Sequence, residues 1–275
     1  MSTVSARLAA LGPFFAADSH DPDAGPAREP WRSAGELLDG PDPLDDSDPR
    51  AQRVHAVRGY LAAAGGLPSE SIELRVAASV MHLGLAARTL SPVFGLAVLG
   101  IRLPPGAGPL SLRDLRWQPS LGSMFALSIP RLDQARQVRS VRDRQGSQGE
   151  QGGQLDQGQQ GDQAGDRPED DRRDLEQLSG ELFAIANPFG VSGPVAGSNI
   201  ASALHGARIA LAAADPGLAP AAQAELDRIL ARPTFADAWR TRPDGRFQRH
   251  GCCLIYRAAP DRRGPLCGDC ILTGT

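Results

Sequence analysis

The stretch SESIELRVAASVMHLGLAARTL, residues 69–90, decides the fold class. It opens on serine and glutamate, is apolar on nearly every side of a 3.6-residue helix, and meets a stop signal at Ser91-Pro92. A helix without a polar face has to be wrapped by other elements, so it is expected at the centre of a helical domain. Helical spacing recurs on both sides of it. Residues 51–64 carry Val54, Val57, Tyr60 and Leu61 and end at Gly65-Gly66. Leu175, Leu178 and Leu182 lead to Ile185 and a stop at Asn187-Pro188. Ser198 reads as the N-cap of a helix over 199–214, with Ile200, Leu204 and Leu211 on one face. A helix over 220–231 turns Leu226, Ile229 and Leu230 inward. The glycine-rich GVSGPVAG at 190–197 reads as a loop that lets helices pack closely, or as an anion cradle.

The chain has 275 residues and is 41% hydrophobic, with aromatics at only 5%. Much of the apolar content is alanine, which favours a helical core packed with small residues over an aromatic-rich sandwich. A small β element is expected within 110–130, where LSLRDLRW and MFALSIP show turn residues and broken alternation. The expected class is therefore mainly α with a small β element. All 29 basic residues are arginine, which excludes a P-loop lysine, a Schiff-base lysine and a kinase-type lysine. No HExxH, GxSxG or GxGxxG motif occurs. A net charge of −3 gives no overall basic field for nucleic acid or anionic lipid, so no nucleic-acid partner is expected.

Five regions follow along the chain. Residues 1–50 read as a short helix over 8–17 and then an acidic, loosely held Pro/Asp-rich segment. Residues 51–132 and 174–240 form the two halves of the helical domain. Between them, 133–173 reads as a disordered insertion, since 145–165 contains eight Gln and seven Gly with Leu155 the single large apolar residue. Residues 241–275 form a metal-binding tail. The apolar run 93–101, closed by Arg102, is far short of the roughly 20 residues a bilayer requires, and the weakly basic, Gly-Pro-interrupted N-terminus does not resemble a signal peptide. The expected location is the cytoplasm, with peripheral membrane contact left open.

The four cysteines all fall between Cys252 and Cys270. A disulfide framework would spread its cysteines to staple distant parts of the chain, whereas four thiols so close together point to a metal. Cys252 and Cys253 are adjacent, thirteen residues follow, and Cys267-Gly268-Asp269-Cys270 is a CxxC turn. Adjacent cysteines on an extended backbone point to opposite sides and are easier to satisfy on two irons than on one zinc. On spacing alone a [2Fe–2S] cluster, tetrahedral zinc, and a vicinal disulfide or inert thiols all remain open.

The segment Arg249-His250-Gly251-Cys252-Cys253-Leu254-Ile255-Tyr256-Arg257, followed by Cys267-Gly268-Asp269-Cys270, resembles the C-terminal signature of the FhuF-like ferric siderophore reductases. Gly197-Ser198-Asn199-Ile200-Ala201-Ser202 is similar to a helix start common in that family. The gap between the cysteine pairs is longer here than is usual, and His250-Gly251 stands where arginine and serine are commoner. The resemblance implies a [2Fe–2S] cluster on Cys252, Cys253, Cys267 and Cys270. It also implies one-electron reduction of a ferric siderophore, with the electron supplied by an external ferredoxin or reductase. The rivals are an electron-transfer or iron-sensing iron–sulfur protein without a siderophore substrate, and a zinc-binding structural module.

Arg249 and Arg257 are candidates for tuning the cluster's potential or attracting an anionic substrate, because seven arginines face two aspartates between 240 and 263. His82 and His205 read as core histidines, and His250 as an alternative ligand.

Overall fold

The computed structural model of the chain describes residues 3–42, 45–106, 108–120, 124–137 and 170–273. The expected class holds: helices dominate and the strands are short. Helix α1 (Val4–Ala10) is capped by Thr3, whose Oγ1 accepts from the Ala6 N–H at 3.2 Å. It starts and ends earlier than the expected 8–17, because Gly12 adopts a positive φ of 121° that ends the helical path.

The described residues of the acidic segment that follows include paired strands, where the sequence suggests only a loosely held arm. Strand β1 (Asp18–His20), strand β2 (Arg32–Ser33) and the single turn α2 (Glu36–Asp39) lie within it. Asp48 then caps α3 (Pro49–Gly65) and pairs with Arg50 at 2.7 Å, both side chains almost fully enclosed. The Arg50 guanidinium holds the Asp48 carboxyl below its ordinary range.

Helix α4 (Leu74–Leu99) is the central element, packed against α3 and against two later helices, α5 (Asp170–Ala186) and α6 (Gly193–Ala214). It does not stop at Ser91-Pro92 but runs through Pro92 to Gly100, which closes it at φ 63°. A proline inside a helix costs about 3 kcal/mol. Every residue from Leu90 to Leu96 is buried, and fully burying a Val, Leu or Phe side chain contributes about 1.5–3 kcal/mol each, so packing of Val93, Phe94 and Leu96 outweighs the break. Continuing through Pro92 makes α4 26 residues long, with an 18-residue window of mean hydropathy 1.3, enough by length and composition to cross a bilayer. Most of its apolar window (67%) is buried inside the protein, the position of a core helix.

Strand β3 (Ile101–Arg102) follows, then β4 (Arg116–Trp117), β5 (Leu127–Pro130) and β6 (Arg136–Gln137). The larger sheet has the order β1-β5-β4-β2: β1 runs parallel to β5, with Ser19 opposite Ile129, and β4 is antiparallel to both β5 and β2. Strand β6 pairs with β3, so 133–137 belong to the fold rather than to the insertion, and α5 begins at Asp170. The rest of the expected insertion, 138–169, lies outside the described residues.

Helix α5 buries Leu175, Leu178, Leu182 and Ile185 as its spacing requires. Helix α6 starts six residues before the expected position, with Ser192 as its N-cap and Pro194 in its first turn, which places Ser198 inside the helix. The glycine-rich stretch is therefore mostly helix, and Gly197 lets Phe183 and Ala238 approach. Helix α7 (Ala219–Leu230) buries Leu226, Ile229 and Leu230 as expected.

His82 is the core histidine its context implies. Its Nε2–H donates to the Leu182 carbonyl at 3.0 Å, and its Nδ1 accepts from the Asn199 amide at 3.2 Å. Burial, reinforced by the Arg249 charge and opposed by the Leu182 bond, pushes its pKa from 6.5 to about 4. The unfolded chain thus binds a proton below pH 6.5 that the folded chain refuses until about pH 4. Stability from this site is complete above pH 6.5 and declines through that window, by about 2 kcal/mol between pH 7 and pH 5. Urea unfolding of His82→Gln is expected to lose most of that pH slope, and an unchanged slope would assign it to other groups.

Candidate metal centre

After α7 the chain forms a hairpin of β7 (Trp239–Thr241) and β8 (Phe247–Arg249), with Trp239 opposite Arg249 and Thr241 opposite Phe247. Gly245 supplies the positive φ of its turn, 79°. Alternation along β8 gives its residues different tasks. Phe247 stacks on His205 of α6, with ring centroids 4.2 Å apart, and on Trp239 at 5.5 Å. Arg249 enters the protein and is fully buried. Gln248, between them, donates from Nε2 to the carbonyls of Cys270 at 3.0 Å and Thr273 at 3.1 Å. Arg242 also donates to Thr273 O, at 2.7 Å. The segment with the last two cysteines is thus fastened to the hairpin by polar contacts.

The first cysteine pair is fixed against α6. The Gly251 N–H donates to Ser198 Oγ at 2.7 Å, and that hydroxyl donates to the Ala238 carbonyl at 2.7 Å. A Cβ on Gly251 would lie 2.7 Å from the Pro194 carbonyl oxygen and 2.9 Å from Val195 Cα, so only glycine fits. Beyond it, Leu254 has φ 66°, which turns its N–H back onto Cys252 Sγ at 3.4 Å. The Leu272 N–H does the same to Cys270 Sγ at 3.4 Å. The CxxC turn is held from α6: Ser202 Oγ donates to Asp269 Oδ2 at 2.7 Å, and His205 Nδ1 lies 3.4 Å from Asp269 Oδ1.

The two cysteine pairs lie near enough for their thiols to influence one another. Cys267 hydrogen-bonds to Cys253, which brings the Cys253 thiol down to about 7 and pushes the Cys267 thiol up. Burial raises Cys252 and Cys270, each of which also feels the charge of Cys267, while Arg249 draws all four toward the thiolate. All four are free thiols rather than disulfides. Among the described residues no three His, Cys, Asp or Glu side chains are grouped so as to hold a metal ion as they stand. The donor set itself fits a metal–thiolate group. It offers four sulfurs, backbone N–H groups aimed at them, and a buried cation beside them.

The remaining sequence candidates are redistributed. Arg249 is not a surface residue, so it is removed from substrate contact, and only influence on the sulfurs remains open to it. Arg257 is paired with Glu73 at 2.5 Å, and Arg262 lies 3.6 Å from the same carboxylate. Arg242 and Arg246 both face Asp244, at 3.6 and 2.9 Å. The positive field around the cysteines is accordingly weaker than the local count suggests. His250 directs its Nδ1–H to the Asp237 carbonyl at 3.2 Å and not to the sulfurs.

Asn199, Ser202 and His205 were not legible as site residues one at a time. Their shared feature with Ser198 is a polar stripe at 198, 199, 202 and 205 on a helix whose one other polar residue is Arg208. The chain matches no protein-family profile, and no curated protein or solved structure matches it.

Gly251→Ala is expected to force the Cys252–Cys253 segment off α6 and to cost about 1–3 kcal/mol of stability. Chemical denaturation together with thiol accessibility to a labelling reagent checks this. Wild-type stability and labelling rates would mean that the α6 backbone yields without cost.

Proposed function

We propose that this protein is a [2Fe–2S] protein that passes one electron to a ferric siderophore in the cytoplasm and so releases Fe(II). The observation that supports the reading is the nearness of the Cys252-Cys253 and Cys267-Cys270 pairs to one another and to the buried Arg249 guanidinium. These four cysteines would hold the group, two to each iron, and a bound [2Fe–2S] cluster supplies one-electron chemistry. The Leu254 and Leu272 N–H groups donate to two of the sulfurs and favour added negative charge there. Gly268 is exposed with open space where a Cβ would stand, so the CxxC turn presents a bare edge to solvent. A bulky chelate or an electron donor can come close to the sulfurs across that edge without entering a pocket.

The substrate step balances simply. The chelated Fe(III) gains one electron and becomes Fe(II), and a separate ferredoxin or reductase loses one. Hard oxygen ligands bind Fe(II) far less tightly than Fe(III), which frees the metal. An electron carrier or iron sensor without a siderophore substrate is the second reading. It is favoured by the engagement of Arg257 and Arg262 with Glu73, which leaves less positive charge for an anionic chelate.

Anaerobic purification, a visible spectrum, and iron and sulfide analysis test the cluster; a colourless zinc protein would overturn it. Reduction of ferric siderophores by the donor-reduced protein tests the substrate, and redox cycling without ferric turnover favours the second reading. Serine at any one of the four cysteines is expected to remove most of the iron, sulfide and ferric reduction while far-UV circular dichroism of the helical body stays near wild type. Full iron and sulfide in Cys252→Ser or Cys253→Ser would show that the adjacent pair supplies only one ligand.

A further inference from the structure

Arg249 is fully buried, yet among the described residues it forms no ion pair with a carboxylate. Its Nε donates to the Gly251 carbonyl at 2.6 Å, one terminal nitrogen donates to Asn199 Oδ1, and the other, Nη1, makes no hydrogen bond. Burying a guanidinium without a counter-charge is costly, and arginine cannot shed its proton to escape that cost. The one carboxylate nearby, on Asp269, is already engaged by Ser202 and His205, although it too is drawn down by the Arg249 charge. The remaining groups that can become anionic around Arg249 are the four thiols.

We propose that Arg249 is the built-in counter-ion of the four-sulfur centre, a positioning residue that joins the charge of that centre to the α4–α6 seam. The inference rests on the reading that the cysteines bind metal, and not on which metal. Four thiolates around one divalent zinc, or around a diferric, two-sulfide core, leave the same two net negative charges. Either way the arginine gains an anion on loading that it lacks when the thiols are neutral. The seam is reached through Asn199, which accepts from Arg249 and donates from Nδ2 to the Ser79 carbonyl at 3.1 Å and to His82 Nδ1 at 3.2 Å. Metal loading is thereby coupled to the packing of the helical core, because the same side chain serves both.

The test uses the full-length protein with Zn2+ alone, and separately with iron and sulfide, in the wild type and in Arg249→Gln, Arg249→Lys and Asn199→Ala. Affinity for Zn2+ is read by competition with a chromogenic chelator, and melting temperature is read with and without metal. Arg249→Gln is expected to weaken Zn2+ binding at least tenfold. In the metal-free state it is expected to melt at or above the wild-type temperature, because the unpaired charge is gone. Arg249→Lys should restore most of the affinity. Asn199→Ala should weaken Zn2+ binding by less than Arg249→Gln does and shrink the gain in melting temperature on loading to match, since the link to the seam is cut. In the iron-loaded protein, Arg249→Gln should make reduction at least tenfold less favourable, 59 mV for one electron.

Zn2+ affinity within twofold of wild type in Arg249→Gln, or equal destabilisation of its metal-free and loaded forms, would overturn the inference and leave an ordinary structural arginine. Should Arg249→Gln not fold, Arg249→Lys and Asn199→Ala decide: a tenfold or greater loss of affinity in the charge-keeping Arg249→Lys, or no loss at all in Asn199→Ala, overturns it. Protein that binds Zn2+ but never takes up iron and sulfide would defeat the iron–sulfur reading alone. Protein that binds neither would defeat both.

Discussion

Helix α4 carries Ser79, His82 and Arg88 into the buried interior, and each must find its hydrogen bonds there. Ser79 and His82 are met by Asn199 of α6, and His82 also by Leu182 of α5. Arg88 is met by the carbonyls of Phe14, Ala16 and Phe125. A purely apolar helix would pack against any hydrophobic neighbour of the right shape. These polar groups accept only particular partners, so they fix which segments lie beside α4 and in what register. The site follows from the same requirement, since the Asn199 amide that satisfies Ser79 and His82 also receives Arg249.

The tail has few apolar residues of its own and is attached mainly through polar contacts. One part of the hairpin stacks Phe247 on His205, while Gln248 gathers the carbonyls of the last residues. The other attachment is the 3₁₀ turn Ile255–Ala258, where Arg257 reaches Glu73 just before α4 and Leu254 and Ala258 join the small cluster around Ile72 and Val76. Both cysteine pairs are therefore held on α6, one through Ser198 and the other through Asp269, Ser202 and His205.

What the sequence revealed divides along the length of the elements. Helices with apolar residues at regular spacing, such as α5 and α7, were readable because their periodicity is written over three or more turns. Strands of two to four residues, β1 and β2 among them, have no room for periodicity, and their pairing partners lie about a hundred residues away in sequence. The acidic arm consequently looked unstructured although its backbone is paired. Two local rules misled for one reason: Pro92 signals a helix end and Ser198 a helix start, yet both sit mid-helix because tertiary packing overrides the local preference. The nearness of the four cysteines in sequence was legible, whereas the burial of Arg249 was not, since arginine in a basic stretch ordinarily lies in water.

The Arg88 junction has a consequence for how the N-terminal arm responds to its surroundings. Burial lowers the Arg88 pKa to about 10, which still leaves it charged throughout the range in which proteins function. Its three carbonyl acceptors have no charge to lose, and enclosed contacts are little screened by salt. The arm is thus bolted to the core by a fastening indifferent to acidity and ionic strength. A lysine in the same enclosure could be stripped of its proton and would turn the bolt into a proton-operated latch.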